Sequence, residues 1–309
     1  MRTLKSQPAK GLHGELTVPG DKSISHRGIM LGAISEGTTT LTHFLTSADC
    51  LSTLAAFQQL GVPIEREGTT VTVHGVGLHG LKASKEPLDM GNSGTTTRLI
   101  MGLLAGQPFS TTLIGDASLS KRPMRRVSDP LAAMGADITT TDGHLPVTIS
   151  GEKLHAVDYQ LKVASAQVKS ALILAAFQAD EPSTLTELLP TRDHTERMLT
   201  AFGGEITTAS DGLTITVQPQ PQLKGQSMTV PGDMSSAAFF MTAASLVPES
   251  QITLKDVGLN KTRTGLLDIL NAMGGDISVE SEPTDGEPIG DFTIRSANLK
   301  PIDIGKAQI

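Results

Sequence analysis

The sequence predicts a mixed α/β protein that is built from repeats of about 70 residues. One observation is a helix end that recurs four times, each time with a glycine that would cap the helix. Another is an alanine-rich helix that follows small polar residues four times, in phase with the first series. The third is a set of alternating β-type runs such as 70–74, Thr-Val-Thr-Val-His. Each copy is therefore expected to be one supersecondary unit.

The first copy is predicted from its local patterns. Its two strands are expected at 15–18 and 38–42, and its two helices at 23–34 and 50–60. Asp21 or Ser23 would cap the start of the first helix. Gly61 would end the second helix as a C-terminal cap. Cys50 lies at the start of that second helix, and we expect its side chain to be buried.

Two phased series define the repeat. The capping glycines are predicted at Gly61, Gly135, Gly203 and Gly274, so the steps between them are 74, 68 and 71 residues. The alanine-rich helices are predicted at 23–34, 93–105, 165–176 and 235–244. Single helix ends of this kind recur by chance, but two phased series do not. We therefore expect about four copies, each with a small-residue helix, a strand, a second helix and a strand pair.

A repeated turn predicts the domain boundary. The stretch 18–21, Val-Pro-Gly-Asp, returns at 230–233, three copies further along the chain. Three copies would close one domain over 21–230, and 1–20 would join 231–309 in a second domain. That second domain would hold one copy, and 302–309 reads as the entry to another. We expect it to be incomplete.

Composition excludes several classes of function. A net charge of −7, 3% aromatic residues and no tryptophan argue against nucleic-acid and anionic-membrane partners. The single cysteine excludes an internal disulfide and fits a reducing compartment, so a cytoplasmic location is expected. The sequence predicts neither a signal peptide nor a membrane span. The eight histidines lack metal-ligand spacing, so no metal site is predicted.

The first candidate site is the start of the helix at 23–34. Ser23 and Arg27 lie four residues apart and would share a face, with Lys22 at the mouth of the helix. Two cations, a hydroxyl and free backbone N–H groups suit a phosphate or a carboxylate. The stretch is not a P-loop, because Asp21 separates Gly20 from Lys22. The alternative is a capped surface helix with solvated cations.

The second candidate is the stretch 91–98, Gly-Asn-Ser-Gly-Thr-Thr-Thr-Arg. Its amides could cradle an anion, and Gly94 would let the anion approach closely. A hydroxyl-capped helix is the alternative.

Downstream, four cations fall within 121–126, Lys-Arg-Pro-Met-Arg-Arg. A solvated charge run is the usual meaning, but Arg122, just before the proline, is our choice for a cation with an anionic partner.

The third candidate opens the helix at 165–176. Ser165 and Gln167 could hydrogen-bond a polyhydroxy ligand, or both could merely cap the helix. Further on, Asp193 and Glu196 form an Asp-x-x-Glu pattern that favours capping. Arg192 is left as a possible anion contact.

Repeats around a pseudo-threefold axis would point the three helix starts at one place. This arrangement predicts a cationic basin for a doubly anionic small molecule.

These stretches resemble the motifs of the 5-enolpyruvylshikimate-3-phosphate synthase family. The matching segments are 20–27, 91–98, 121–124, 165–167 and 192–196, and the resemblance extends over essentially all 309 residues. It implies an α/β (α+β) fold, an inside-out α/β barrel of βαβαββ repeats. It also implies two domains of three repeats each, with an active site in the cleft between them.

The resemblance implies a transferase. The 5-hydroxyl of shikimate 3-phosphate adds to C2 of phosphoenolpyruvate while C3 takes a proton, and phosphate then leaves. The products are 5-enolpyruvylshikimate 3-phosphate and phosphate, in the pathway to chorismate and the aromatic amino acids. The resemblance implies no cofactor, and it implies a protein that is usually monomeric.

The resemblance also implies residue roles. Lys22 would contact phosphoenolpyruvate and the attacking hydroxyl, as the catalytic residue present here. Ser23 and Arg27 would hold the shikimate part, and Gly94 and Arg122 would contact phosphoenolpyruvate. Shikimate 3-phosphate would also be contacted by Ser165 and by Gln167, which would touch both substrates. Arg192 would be a further substrate contact.

The family continues beyond Ile309 and carries its catalytic aspartate and glutamate there, so this chain is expected to lack them. One alternative is therefore a non-catalytic module that binds shikimate 3-phosphate. Another is the sister family that transfers enolpyruvyl to UDP-N-acetylglucosamine. That family usually has a reactive cysteine five residues before the arginine aligned with Arg122. Here the position is Ala117, and the sister family lacks the Lys-Ser-x-Ser-His-Arg run.

Overall fold

The protein is seen in a computed structural model that describes residues 5, 7–8, 10–282 and 286–305. The chain folds as two compact units, one formed by Lys22–Val230 and one by Met1–Asp21 with Pro231–Ile309. Both units are built from α-helices and four-stranded sheets, which confirms the predicted mixed α/β class.

The helices include the long predicted ones and their shorter partners. They are α1 Lys22–Ile34, α2 Ala48–Gln59, α3 Gly94–Leu104, α4 Arg125–Ala132, α5 Ala166–Ala176, α6 His194–Ala201, α7 Met234–Leu246 and α8 Gly265–Ala272. A short 3-10 helix covers Leu119–Lys121. Helices α1, α3 and α5 are buried almost all round, because small residues let their backbones pack closely inside the unit.

The strands are short and come mostly in pairs after the second helix of each repeat. In the first half they are β1 His13–Thr17, β2 Glu36–Thr42, β3 Ile64–Glu67, β4 Thr70–Val76, β5 Leu88–Asp89, β6 Thr111–Ile114, β7 Asp137–Thr141 and β8 His144–Ser150. In the second half they are β9 Asp158–Gln160, β10 Ser183–Thr186, β11 Ile206–Thr208, β12 Thr214–Val217, β13 Ser227–Thr229, β14 Gln251–Gly258, β15 Asp276–Glu282 and β16 Ile289–Arg295.

All four sheets have the same topology. The orders are β13-β2-β4-β3, β5-β6-β8-β7 and β9-β10-β12-β11 in the unit Lys22–Val230, and β1-β14-β16-β15 in the other unit. In each sheet the first two strands are parallel and the remaining pairs are antiparallel. The repeat is therefore a βαβαββ unit, as the family resemblance implies, with one more strand than the local sequence patterns predicted.

The parallel edge strands of two sheets come from distant parts of the chain. Strand β13 lies beside β2, with Met228 opposite Leu41, so the last strand of the larger unit completes its first sheet. Strand β1 lies beside β14, with Leu16 opposite Leu254. Each edge strand thus gains backbone hydrogen bonds from a repeat far away in sequence, which ties the ends of each unit together.

The predicted helix ends are confirmed. Gly61, Gly135, Gly203 and Gly274 have φ of 87°, 90°, 88° and 88°, the left-handed conformation in which glycine ends a helix. Of the two residues predicted to cap the start of α1, Asp21 lies directly before the helix, and the alternative of Ser23 is wrong. Ser23 lies inside the first turn, because the helix begins one residue earlier, at Lys22.

The two units have separate hydrophobic cores. The larger core is made mainly of Leu, Ile, Val, Ala and Met, as the composition predicts, with Phe57 and Phe177 fully buried in it. Cys50 is also buried there, as expected. The smaller core surrounds Phe292 in the other unit. Among the described residues, none of the helices has the length and apolar character needed to cross a membrane.

Candidate active site

Lys22 opens α1 at the surface of the larger unit. Its ammonium group pairs with the carboxylate of Asp49 in the first turn of α2. The Lys22 side chain is 47% exposed, so it remains accessible to a ligand. The pair therefore orients a cation at the helix start without burying it.

Arg27 is placed very differently, with 4% of its surface exposed. Its Nε donates to Oγ1 of Thr195 over 2.7 Å, and its Nη2 donates to Oγ of Ser170 over 2.8 Å. Nη1 donates to the carbonyl oxygen of Ser23 over 3.1 Å. These bonds fix the guanidinium between the starts of α1, α5 and α6.

Gly94 is the point at which two other guanidinium groups meet. A Cβ atom built on Gly94 would lie 3.1 Å from Nη1 of Arg98 and 3.1 Å from Nη1 of Arg122. Gly94 is also the first residue of α3, where the positive end of the helix dipole favours an anion. The missing side chain thus lets both guanidinium groups approach the start of α3 closely.

Arg98 is 8% exposed, and it is a site residue that the sequence patterns did not predict. Its Nη1 donates to Oε1 of Gln167 over 2.7 Å, and Gln167 in turn donates from Nε2 to Oγ1 of Thr95 over 3.0 Å. Burial lowers the pKa of Arg98, and the charges of Arg126 and Arg122 lower it further. Buried positive charges that repel one another would be stabilised by a bound anion.

Arg122 has an amide as its neighbour. Its Nη2 donates to Oδ1 of Asn92 over 2.6 Å. Nδ2 of Asn92 donates to both carboxylate oxygens of Asp116, over 3.0 and 2.8 Å. The partner found for Arg122 is therefore a neutral oxygen, whereas the sequence led us to expect an anion.

A buried network of hydroxyl groups connects the starts of α1 and α3. Nδ1 of His26 lies 2.6 Å from Oγ1 of Thr53, which lies 2.7 Å from Oγ1 of Thr96. Oγ1 of Thr96 lies 2.6 Å from Oγ of Ser93, the residue that caps α3. The network joins His26 on α1 and Ser93 at the start of α3 through Thr53 on α2. The sequence offered capping as the alternative role for the hydroxyls of 91–98 and gave no indication of a role for Thr53.

The other predicted residues lie near the starts of the third repeat's helices. Ser165 is half-buried at the N-cap position of α5, with an extended backbone. Arg192 is exposed in the segment between β10 and α6. The convergence of these two residues on the groups around Gly94 remains a prediction.

The capping role predicted for Asp193 and Glu196 is wrong. No amide at the described start of α6 donates to the Asp193 side chain, which accepts from Nε of Arg197 over 2.7 Å. Glu196 instead lies 2.7 Å from Nζ of the buried Lys169. The Asp-x-x-Glu spacing matched a capping box, but ion pairs with partners outside the pattern determine both side chains.

The arrangement is suited to binding phosphate and carboxylate groups. In the part of the chain that the structure describes, no group of three His, Cys, Asp or Glu residues could hold a metal ion. The residues Lys22, Arg27, Gly94, Arg98 and Arg122 all belong to the unit Lys22–Val230. That unit therefore contains both the exposed cation and the paired guanidinium groups.

Comparisons with known proteins agree on one family. The sequence model of EPSP synthase (3-phosphoshikimate 1-carboxyvinyltransferase) matches residues 6–308. The chain is 62% identical over 309 residues to a 3-phosphoshikimate 1-carboxyvinyltransferase of Lactiplantibacillus plantarum, a match that covers 100% of this chain and 72% of the relative. It is 54% identical over 297 residues to the protein of that name in Limosilactobacillus fermentum, covering 96% and 69%.

Solved structures give the same result. EPSP synthase from Acinetobacter baumannii superposes with a TM-score of 0.91 at 49% sequence identity. That match covers 97% of this chain and 69% of the solved chain. A likeness this strong in both sequence and backbone extends to the four βαβαββ repeats described above.

Proposed function

The chain belongs to the EPSP synthase (3-phosphoshikimate 1-carboxyvinyltransferase) family, and we propose that the starts of α1, α3 and α5 bind the substrates of its reaction. The enzyme transfers the enolpyruvyl group of phosphoenolpyruvate to the 5-hydroxyl of shikimate 3-phosphate, in the shikimate pathway. Both substrates carry a phosphate and a carboxylate. A site for them needs several fixed cations and few competing carboxylates.

Phosphoenolpyruvate is proposed to lie against Gly94. The observation that carries this is the distance of 3.1 Å from the Cβ position of Gly94 to Nη1 of both Arg98 and Arg122. Planar guanidinium groups bind carboxylate and phosphate through paired hydrogen bonds. An anion at this point would also offset the burial, and the repulsion by Arg126 and Arg122, which lower the pKa of Arg98.

Shikimate 3-phosphate is proposed to lie along the starts of α1 and α5. Ser23, Arg27 and Ser165 would hold it, with Arg192 as a further anion contact. Gln167 supports the idea of adjacent substrates, because its amide already bonds to Arg98 and could reach either ligand.

Lys22 is proposed as the catalytic residue that contacts the attacking hydroxyl and phosphoenolpyruvate. A charged ammonium there would stabilise negative charge as the hydroxyl loses its proton.

Calorimetric titration tests this assignment with the 309-residue protein. Shikimate 3-phosphate is titrated first, and phosphoenolpyruvate is then titrated into the saturated protein. We expect Arg98→Gln to weaken phosphoenolpyruvate binding by about tenfold or more, since a charge-assisted hydrogen bond contributes roughly 1.5–3 kcal/mol. Arg197→Gln is the control, because Arg197 pairs with Asp193 on the exposed side of α6. Equal affinities in Arg98→Gln and the unmutated protein would refute the placement at Gly94.

The assembly and location of the protein are also proposals. We infer a monomer, which the family resemblance supports, and a cytoplasmic location, which the single buried cysteine supports. Sedimentation velocity over a range of concentrations tests the first. A sedimentation coefficient that rises with concentration would contradict it.

A further inference from the structure

We propose that Asp116 is a positioning residue, which fixes the guanidinium of Arg122 beside Gly94 by orienting the side-chain amide of Asn92. Among the described residues, Asp116 forms neither a hydrogen bond nor an ion pair with Arg122, and it is not proposed to contact the ligand. The hydrogen-bonded connection from Asp116 to Arg122 passes through the Asn92 amide, and the two charges also attract one another directly. The identity of the ligand that Arg122 would bind rests on the proposed function. The orientation of Arg122 can be tested without any ligand.

The carboxylate of Asp116 is well placed to hold an amide donor. It lies between β6 and the 3-10 helix, and its Oδ1 accepts from the backbone amides of Ser118 and Leu119 over 2.9 and 2.7 Å. Both oxygens also accept from Nδ2 of Asn92, over 3.0 and 2.8 Å. These bonds, led by that from Leu119 and then that from Asn92, lower the pKa of Asp116, so the acceptor is ionised at neutral pH.

An ionised carboxylate can only accept hydrogen bonds, whereas a guanidinium can only donate them. Asn92 stands between the two, with NH2 toward Asp116 and Oδ1 toward Arg122. If the amide were turned by 180°, Oδ1 of Asn92 would face the carboxylate oxygens of Asp116, and Nδ2 would face the N–H groups of Arg122. Neither contact can be a hydrogen bond. Each neighbour therefore selects the same amide orientation, and the bond of 2.6 Å to Nη2 of Arg122 is fixed by it.

This bond leaves the other terminal nitrogen of Arg122 directed at the ligand space. Nη1 is the atom that lies 3.1 Å from the Cβ position of Gly94. A carboxylate at position 92 would bind the same guanidinium but would neutralise its charge. The neutral amide holds Arg122 in place and preserves that charge for an anion.

The loop also has backbone hydrogen bonds that do not involve the Asp116 carboxylate. The backbone N–H of Asp116 donates to the carbonyl oxygen of Gly91 over 2.8 Å, and its carbonyl oxygen accepts from Ser120 over 2.9 Å. Asp116→Asn would keep these bonds and the volume of the side chain. It would also let the new amide donate to Oδ1 of Asn92, so that both amide orientations become possible.

Asp211 provides a matched control. Its Oδ1 accepts from the backbone amides of Leu213 and Thr214 over 2.8 and 2.9 Å, and these bonds lower its pKa in the same way. It belongs to the exposed turn before β12 and has no bond to a site residue among those described. Asp211→Asn thus removes an equivalent turn carboxylate from elsewhere in the same unit.

The first experiment is side-chain NMR of the 309-residue protein with ¹⁵N-labelled arginine, without ligand. We expect slow rotation about the Nε–Cζ bond of Arg122 in the unmutated protein and in Asp211→Asn. Rotation should be several times faster in Asp116→Asn. The resonance is assigned by its loss in Arg122→Lys. Equal rotation rates in Asp116→Asn and the unmutated protein would overturn the proposal.

The second experiment measures the consequence for ligands. Phosphoenolpyruvate is titrated into protein saturated with shikimate 3-phosphate, and we expect Asp116→Asn to weaken it by about five- to tenfold. The affinity for shikimate 3-phosphate alone should stay within about twofold, a difference that general loosening of the fold would not produce. Equal losses for both ligands, or none, would contradict the positioning role. If the unmutated protein fails to bind phosphoenolpyruvate, the proposed placement at Gly94 fails, and the NMR result alone decides the role of Asp116.

Discussion

Nη2 of Arg27 lies 2.8 Å from Oγ of Ser170, so a side chain of the first repeat is bonded to a helix of the third. Thr195 completes a triangle, since its Oγ1 lies 2.7 Å from Nε of Arg27 and 2.6 Å from Oγ of Ser170. Ser170 donates to the carbonyl oxygen of Ala166. Thr195 must therefore donate to Ser170, and both hydroxyls accept from the guanidinium.

The triangle makes Arg27 a residue whose loss affects both binding and stability. Arg27→Ala should weaken shikimate 3-phosphate binding by about tenfold or more, since a contact to a charged group contributes roughly 1.5–3 kcal/mol. The free energy of unfolding should fall by about 1–3 kcal/mol, because two buried hydroxyls lose a donor. Calorimetry and urea unfolding measure the two effects separately.

The control for Arg27 is Arg66→Ala. Arg66 lies in the exposed strand β3 and donates to the carbonyl oxygen of Gly68 over 2.8 Å. Its removal should leave both the affinity and the unfolding curve nearly unchanged. If Arg27→Ala is folded and binds shikimate 3-phosphate with unchanged affinity, Arg27 does not belong to the site.

Lys169 should be essential for the stability of the larger unit. Its Nζ lies 2.9 Å from Oε2 of Glu187 and 2.7 Å from Oε1 of Glu196, and the three side chains are 1%, 3% and 10% exposed. Lys169→Met leaves two buried carboxylates without their shared cation. Removal of one partner from a buried ion pair costs about 3–5 kcal/mol, and urea unfolding at neutral pH should show a loss of that order.

A triple variant separates the charge effect from a packing effect. Lys169→Met combined with Glu187→Gln and Glu196→Gln has no buried charge at this place, and the amides retain the shape of the carboxylates. We expect it to recover more than half of the stability that Lys169→Met loses. If the triple variant is as unstable as Lys169→Met alone, packing of the lysine stem explains the loss.

The stability of the protein should depend on pH through Glu196. Burial raises the pKa of Glu196 above the ordinary value of 4.5, and the attraction of Lys169 opposes that rise only in part. Between 4.5 and the raised pKa the folded protein binds more protons than the unfolded chain. The free energy of unfolding must then fall as the pH increases through this interval.

Glu196→Gln removes this dependence. Its free energy of unfolding, minus that of the unmutated protein, should increase with pH from below 4.5 upward and level off above the raised pKa. Urea unfolding at a series of pH values measures this difference. A difference for Glu196→Gln that is flat or decreases would show that the pKa is not raised.

The repeat was readable from the sequence because its signals are local. A glycine such as Gly135 ends a helix through its own backbone angle, φ 90°, and that requirement is visible without the partner elements. The edge strands β5, β9 and β13 were missed because they contain two or three residues. Their strand conformation depends on hydrogen bonds to β6, β10 and β2, which no local pattern shows.

The candidate site was predictable where a motif combined small residues with cations. Gly94 was chosen as the place where an anion approaches, and Arg98 was passed over although it ends the same stretch. Its role depends on the side-chain amide of Gln167, 2.7 Å away on α5. Asp116 could not be found at all from spacing, because its connection to Arg122 runs through Asn92. Contacts between repeats decide which residues surround the ligand space.

Gly94→Ala should weaken phosphoenolpyruvate binding without disturbing the fold. The new methyl group would lie 3.1 Å from Nη1 of Arg98 and of Arg122, in the space that we assign to the ligand. One carbon atom in a closely fitted pocket changes binding by about 10–200-fold, and we expect a loss near the lower end. Shikimate 3-phosphate, bound along α1 and α5, should keep its affinity within about twofold.

Gly265→Ala is the matched control for this last prediction. Gly265 is likewise the first residue of a helix, α8, and a Cβ atom there meets nothing within 4 Å among the described residues. Both substitutions should change the free energy of unfolding by less than about 1 kcal/mol, because the backbone angles of a first helical turn suit alanine. A loss of phosphoenolpyruvate binding in Gly94→Ala alone then comes from the methyl group in front of the two guanidinium groups. Unchanged phosphoenolpyruvate affinity, or an equal loss for shikimate 3-phosphate, would place that ligand elsewhere.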